Sequence, residues 1–452
     1  MRLDTSPLHW ISAFDLARLW YTGARLIGFR LLGLICLIML TFGGTELQAQ
    51  TLAEFQELAV ANREAVAAAR TRLAQSRLDV KIGKSPFLPS LDLGYTANRL
   101  DEDTTFENER NSQLGGTLSI NLFSGFRDRY QLNSAEQIQL ARRYELQTVI
   151  EDLKLEVAVR YLAIFADRQT LAVAEDRLSL LKKRYEDAQH RNAVGLIKRN
   201  DVLKIKVEMD DAYLVREKAS ADYQKSVNLL AYTIGAEVDE TTLDFSELDT
   251  LPVLKDKESY RRRMLAQRSE IRALEMVVAA RKETAKAKRA AYYPSLNFSA
   301  GYRHYGDDYL WGMTTEDGSE AEMRLQARVD LNIFDGFKKD HTLKRAKLDI
   351  RQARLDLAEL KQLLATTLDN ALLDYEVSLK NISVARTGID QAEESLRVVE
   401  LSFEEGVETA TEVLDAIYLL SRAKLNFISA KRTVFLNYYR ILRTIEDFDF
   451  TK

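Results

Sequence analysis

Cysteine is almost missing from this sequence. Cys36 is the only one in 452 residues. It lies inside an apolar run, 31–42, that the rest of this reading assigns to a leader, so the remaining chain has no disulfide and no thiol chemistry. Histidine is scarce as well. His9, His190, His304 and His341 are scattered and form no ligand cluster or nucleophile pair. No glycine-rich phosphate loop occurs, so any energy must come from a partner. Net charge is -4, with no basic surface that would suit nucleic acid. These absences argue against an enzyme and call for no cofactor or metal. Proline is rare too: of its five occurrences, none falls in 90–251 or 295–452. Few breakers beside many charged, alanine and leucine residues predict long helices.

The first 49 residues follow a signal-peptide plan. Arg25 and Arg30 precede the apolar run; Gly43, Gly44 and the small-residue site Leu47-Gln48-Ala49 follow it. The run is shorter than the roughly 20 residues of a membrane helix. Ile35 precedes Cys36 where lipidation wants a small residue, so Cys36 is not read as a lipid anchor.

The remainder is written twice. Asn121-Leu122-Phe123-Ser124-Gly125-Phe126 recurs 211 residues later as Asn332-Ile333-Phe334-Asp335-Gly336-Phe337. The same shift carries Gly195 to Gly406, Asp201 to Glu412 and Leu203 to Leu414. Upstream, Leu88-Pro89-Ser90-Leu91 recurs as Tyr293-Pro294-Ser295-Leu296 with a shift of 205. Two homologous units are expected, 50–251 and 252–452, with Pro252 at their joint. Each reads as a helix, two strands and two very long helices.

A seven-residue apolar line runs through the helices, which is coiled-coil packing. It comprises Ile150, Val157, Ile164, Leu171, Leu178 and Tyr185 in the first unit. In the second it comprises Leu368, Tyr375, Ile382, Ile389, Leu396 and Phe403. The returning helices carry Val413, Leu420, Phe427, Val434 and Ile441, against Val202, Met209, Tyr223 and Leu230, where Arg216 breaks the line. At 1.5 Å per residue the stretch from Gly125 to Gly195 makes a helix of about 100 Å. A projecting tube needs such hairpins; a compact domain does not.

Four short segments alternate strictly. Met323, Leu325, Ala327, Val329, Leu331 and Ile333 interleave with Arg324, Gln326, Arg328, Asp330 and Asn332. The segments at 91–96, 117–122 and 296–303 do the same. One face is then apolar and the other polar, at the length of a tilted membrane strand. Four strands cannot close a barrel, and an open edge in lipid leaves backbone groups unpaired. Several chains must therefore share one barrel, two giving eight strands and three giving twelve. Segments 99–113 and 303–320, with Phe106, Asp307, Asp308, Tyr309 and Trp311, would be exposed loops.

The Pro-Ser-Leu joints at Pro89 and Pro294 and the Asn-x-Phe-x-Gly motifs resemble the TolC-like outer-membrane efflux family. So do the turns Val194-Gly195-Leu196 with Asp201-Val202-Leu203, and Gly406 with Thr411-Glu412-Val413-Leu414-Asp415-Ala416. The resemblance covers the whole chain after the leader, in the family's order. It implies an α+β membrane protein acting as a homotrimer, with a 12-strand transmembrane barrel in the outer membrane and a periplasmic α-helical barrel. It also implies a periplasmic adaptor and an inner-membrane transporter as partners. The implied function is the exit duct of a tripartite efflux or type I secretion system. An exported coiled-coil scaffold is the alternative, but it leaves the signal peptide and the amphipathic strands unexplained.

Glu412 and Asp415 lie three apart at a helix start, so both project from one face. Capping and solvation alone account for such a pair. The resemblance implies more: acids at this position ring the periplasmic entrance, favouring cations. It also implies gate roles for Asp201 and for the positions held here by Glu408 and Phe403, which depart from the family's arginine and tyrosine. Lys198 and Arg199 are expected to pair with Glu408 or Glu412 of the neighbouring hairpin. Val194, Gly195, Leu196, Gly406 and Val407 are expected to meet the adaptor at the tips. Arg303, Arg324, Arg328 and Asp330 are expected to line the barrel lumen.

Overall fold

A computed structural model describes residues 50–103, 109–306, 309 and 321–448. The signal segment with Cys36 lies outside the described residues, as do Phe106, Asp307, Asp308 and Trp311. The described chain falls into two units. The small one holds Gln50 and residues 239–244. There the Gln50 amide donates to the Thr242 carbonyl and the Asp244 amide donates to Gln50. The large one, 51–238 with 245–448, carries everything below.

The written repeat is a structural repeat. Helices α1 (Leu52–Asn62) and α2 (Glu64–Lys84) lead to β1 (Ser90–Arg99) and β2 (Arg110–Phe123). Two long helices follow, α3 (Arg127–Ala193) and α4 (Arg199–Ile234). The second copy runs α5 (Lys257–Gln267), α6 (Ser269–Arg289), β3 (Ser295–Gly306), β4 (Ala321–Asp330), α7 (Lys338–Glu404) and α8 (Ala410–Ile445). Both α3 and α7 have 67 residues, and both α4 and α8 have 36. Every bound of the later pair lies 211 beyond the earlier: 127 becomes 338 and 234 becomes 445.

The opening helix of each copy differs from the single helix expected. It breaks at Arg63, in extended backbone, and at Arg268, with a non-helical ψ of 119°. Neither break has a proline or glycine. The guanidinium of Arg63 instead donates to the carbonyl of Tyr232 (3.1 Å), and that of Arg268 donates to the carbonyl of Arg443. Each break ties an opening helix to the end of its own copy's last helix.

Strand gives way to long helix through two successive left-handed residues, Gly125-Phe126 and Gly336-Phe337, all with φ of 67°. A bulky residue there is unusual. Gly125 has a further constraint, because a Cβ on it would stand 2.6 Å from the Ala290 carbonyl. Phe123 and Phe126 pack edge to face, as Phe334 and Phe337 do.

The heptad positions form the helical core. Val157, Ile164, Leu178, Leu368, Tyr375, Ile382, Leu396, Val413, Val434 and Ile441 are buried, while Ile150, Leu171, Tyr185, Ile389 and Phe403 are partly so. Arg216, the break in the line, pairs with Glu175 and Glu217. Other apolar side chains stay open on the same helices, among them Val207, Leu214, Leu363, Val384 and Leu419. Among the described residues no helix is long and apolar enough to cross a membrane.

Candidate channel wall and entrance

The four strands form one antiparallel sheet in the order β1-β2-β3-β4. Its register gathers mostly polar residues on one face and mostly apolar ones on the other, with Arg99 and Arg110 opposed on the apolar face where β1 ends and β2 begins. Asp92 lies opposite Thr117, Thr117 opposite Gly301, and Gly301 opposite Arg324. Arg303 stands opposite Glu322, Asn297 opposite Arg328, and Ser295 opposite Asp330. All four residues expected at the lumen thus share the polar face. Arg324 and Arg328 are locked to Glu322 and Asp330 along the same strand, at 2.6 and 3.0 Å. On the reverse face Leu91 meets Leu118, Leu118 meets Ala300, and Ala300 meets Leu325.

Nothing in the chain covers the apolar face among the described residues. Leu93 is 78% exposed and Met323 75%. An ordinary sheet buries that face on a core, and the long helices here pack on one another instead. Strand β4 ends at Asp330, three residues before the expected Ile333. A strand persists only where a neighbouring strand takes up its backbone groups, and among the described residues no strand pairs with 331–334.

The hairpin turns are two copies of one design. In the first, the Leu196 amide donates to Arg191 (2.8 Å) and the Gly195 amide to Asn192; in the second, Val407 donates to Ser402 (2.9 Å) and Gly406 to Phe403. This closure caps a helix with a left-handed residue, and both glycines have φ of 76°. Val194, Leu196 and Val407 project into solvent beside them. Thr409 caps α8, its hydroxyl accepting the Glu412 backbone amide (3.4 Å).

The two hairpins touch near these turns. Ala188, Ile205 and Ala410 form a small buried cluster packed by Tyr185, Val202, Phe403 and Leu414. Phe403 therefore serves as a wedge between hairpins, with the Arg191 guanidinium 5.4 Å from its ring centre. Asp415 lines a surface cleft with Asn200, Lys204, Glu208 and Thr411.

Not every expected neighbour is brought together. Within the chain, Lys198 and Arg199 form no ion pair with Glu408 or Glu412; all four side chains are exposed. Asp201 stands in the first turn of α4, half-buried. The cross-hairpin links lie elsewhere. Arg184 of α3 pairs with Glu400 of α7, and Lys204 donates to the Thr411 hydroxyl (3.2 Å). Arg177, bonded to Glu208 of its own hairpin (3.1 Å), lies over the Tyr418 ring of the other. These residues went unnoticed in the sequence because long coiled coils are full of solvated charges. Asymmetry between the copies was the one available signal, since the counterpart of Arg177 is Gly388.

Comparison with known proteins agrees with this geometry. The sequence profile of the family described as outer membrane efflux protein matches twice, over 56–236 and 261–441. The chain is 24% identical over 364 residues to the outer membrane efflux protein BepC of Brucella suis biovar 1, covering 80% of this chain and 78% of that one. It is 21% identical over 413 residues to the outer membrane protein TolC of Escherichia coli K12, covering 87% and 82%. A crystal structure of a membrane protein from Pseudomonas aeruginosa shares its fold, with a TM-score of 0.75 at 19% identity, over 87% of this chain and 93% of that one.

Proposed function

The chain belongs to the outer membrane efflux protein family, and on that premise we propose that three copies close one 12-stranded barrel whose helical hairpins continue it as a periplasmic tunnel. The protein is an outer-membrane efflux duct, a conduit rather than an enzyme. In this reading residues 1–49 are removed as a signal peptide, and 50–251 and 252–452 are the two repeat units. A periplasmic adaptor and an inner-membrane transporter deliver substrate to the entrance, and passage through the duct is passive. No catalytic step and no cofactor is involved.

The uncovered apolar face of the sheet carries this proposal. An open edge is not tolerated in lipid, and a single chain has two edges, β1 and β4. Sharing the barrel removes both. The apolar face then meets lipid, and the polar face with Arg303, Arg324, Arg328 and Asp330 lines water. At the far end Glu412 and Asp415 from three copies ring the entrance, with Asp201, Glu408 and Phe403 close by. Lys198 and Arg199 reach acids of an adjacent copy there. The exposed turns at Val194, Gly195, Leu196, Gly406 and Val407 receive the adaptor. A coiled-coil scaffold would leave the sheet without a purpose.

The test is the particle mass of the full chain extracted from outer membranes in mild detergent, with detergent correction. Three chains per particle support the shared barrel. A soluble monomer or dimer would overturn it.

A further inference from the structure

Charge is spread unequally at the base of the sheet. A cleft opens where the β3–β4 pair meets the end of α6 and the start of α7, and Ser295 and Asp330 line it from the polar face. Four cations reach it: Arg127, Lys288, Lys338 and Lys339. Arg127 is paired with Asp128 (3.2 Å). The ammonium of Lys339 donates to the backbone carbonyl of Asn332 (2.6 Å) and to its side-chain oxygen (3.3 Å), both neutral acceptors. Among the described residues Lys288 and Lys338 form no ion pair, and both are exposed. The two acids of the cleft are already engaged. Asp330 holds Arg328 (3.0 Å), and Asp335 accepts the Lys339 backbone amide (3.0 Å). Three lysines therefore stand against the single charge of Asp335.

The duplication separates what this joint needs from what has been added to it. Under the repeat shifts the counterparts of Lys288, Lys338 and Lys339 are Gly83, Arg127 and Asp128. The first copy is thus neutral where the second carries three positive charges. Both copies still make the same turn, since Gly125-Phe126 and Gly336-Phe337 share a φ of 67°. Both also continue into a helix of 67 residues. In the first copy Asp128 is buried and accepts from the Asn121 amide. Building the strand-to-helix joint therefore does not require the three lysines, and gathering like charges costs stability.

We propose that this cleft is an anion site in the wall of the duct, taking a soluble solute that bears phosphate or clustered carboxylate groups. Lys288 and Lys338 are its free donors, and Lys339 is its third cation. The inference rests on the shared-barrel reading above, which turns the polar face to water and repeats the cleft in each copy around the lumen. A cleft lined by one sign of charge concentrates the opposite ion more than an open surface does. Each ammonium carries three donors, so three of them can serve the oxygens of a polyphosphate. A lipid headgroup offers the same phosphate, but the cleft opens on the face turned away from lipid. Glu412 and Asp415 lie at the other end of α7, about 100 Å away for its 67 residues, so the charge of the wall reverses along the duct.

Calorimetric titration of sodium tripolyphosphate at low salt tests the site in the full-length protein, extracted from outer membranes in mild detergent. One tripolyphosphate per chain should bind, and added salt should weaken it. Lys288→Gln with Lys338→Gln removes two cations that form no ion pair, so folding is spared. This variant should weaken binding at least about ten-fold. Lys182→Gln with Lys183→Gln removes the same charge from exposed positions on α3 and should leave binding unchanged. No binding to a three-chain particle, or equal loss in both variants, overturns the site and leaves the shared barrel standing. A phosphorus assay of the purified particle covers the lipid source. Phospholipid retained by the wild type and lost by Lys288→Gln with Lys338→Gln would reassign the cleft to a headgroup and overturn the soluble ligand. A one-chain particle overturns both the site and the barrel.

Discussion

Replacing Arg443 with methionine tests whether the end of the last helix is held by charge. Its side chain is only 5% exposed and faces carboxylates from three elements. It is 2.7 Å from Asp152 on α3, 2.7 Å from Glu270 on α6, and 3.4 Å from Glu446 just past α8. Asp152 is well exposed, so that pair contributes no more than about 1 kcal/mol. Glu446 is 7% exposed and also accepts from the Ser269 amide and hydroxyl. Without Arg443, Glu270 and Glu446 keep Arg268 as their remaining nearby cation. Breaking a buried pair by removing one partner costs about 3–5 kcal/mol, and the partial exposure of Glu270 argues for the lower end. Arg443→Met should therefore lose about 3 kcal/mol of unfolding free energy, read from urea unfolding of the detergent-extracted protein.

The direction with pH is fixed as well. Burial pushes Glu270 up, but Arg268 and Arg443 outweigh it and hold it below the ordinary glutamate value. A depressed carboxylate adds stability above its unfolded pKa and loses it as pH falls through the folded one. Burial raises Glu446, whose contribution runs the other way and falls as pH rises. Removing Arg443 raises both groups, so the deficit should be largest near neutral pH and shrink below the ordinary value of 4.5. A deficit under about 0.5 kcal/mol, or one that grows on acidification, would refute the assignment.

Three further outcomes are expected. Glu412→Gln with Asp415→Asn should lower cation selectivity in planar bilayers by several-fold, read from reversal potentials, with particle mass unchanged. Lys198→Glu with Arg199→Glu should raise resting conductance several-fold, and an unchanged conductance would sink the inter-chain pairing. Leu325→Arg on the apolar face should cost about 2–4 kcal/mol per chain if it sits mid-bilayer, seen as loss of assembled protein from the outer membrane, while Gln326→Arg should be tolerated.

Much of the architecture was legible because it is periodic. The Asn-x-Phe-x-Gly motifs and the turn glycines announced a 211-residue shift, and the helix bounds obey it to the residue. Strict alternation fixed which strand residues share a face. What escaped lacks a periodic signature. The breaks at Arg63 and Arg268 depend on carbonyls roughly 170 residues away, with no proline or glycine to mark them. The early end of β4 reflects a missing neighbour, which no local pattern records. Lys204, the basic residue that reaches Thr411 and shares a cleft with Asp415, reads in the sequence like any other solvated lysine.

The equal helix lengths make each hairpin a ruler for the other. Losing one residue from α7 alone would turn everything beyond it by about 100° and expose the apolar line. Losing a full heptad would restore the facing but leave that turn about 10 Å short of its twin. The small cluster of Ala188, Ile205 and Ala410 would then come apart, and Asp415 would leave its cleft beside Lys204. Changes in tunnel length are therefore accessible only as seven-residue steps taken by both hairpins together, so the reach of the duct is quantised.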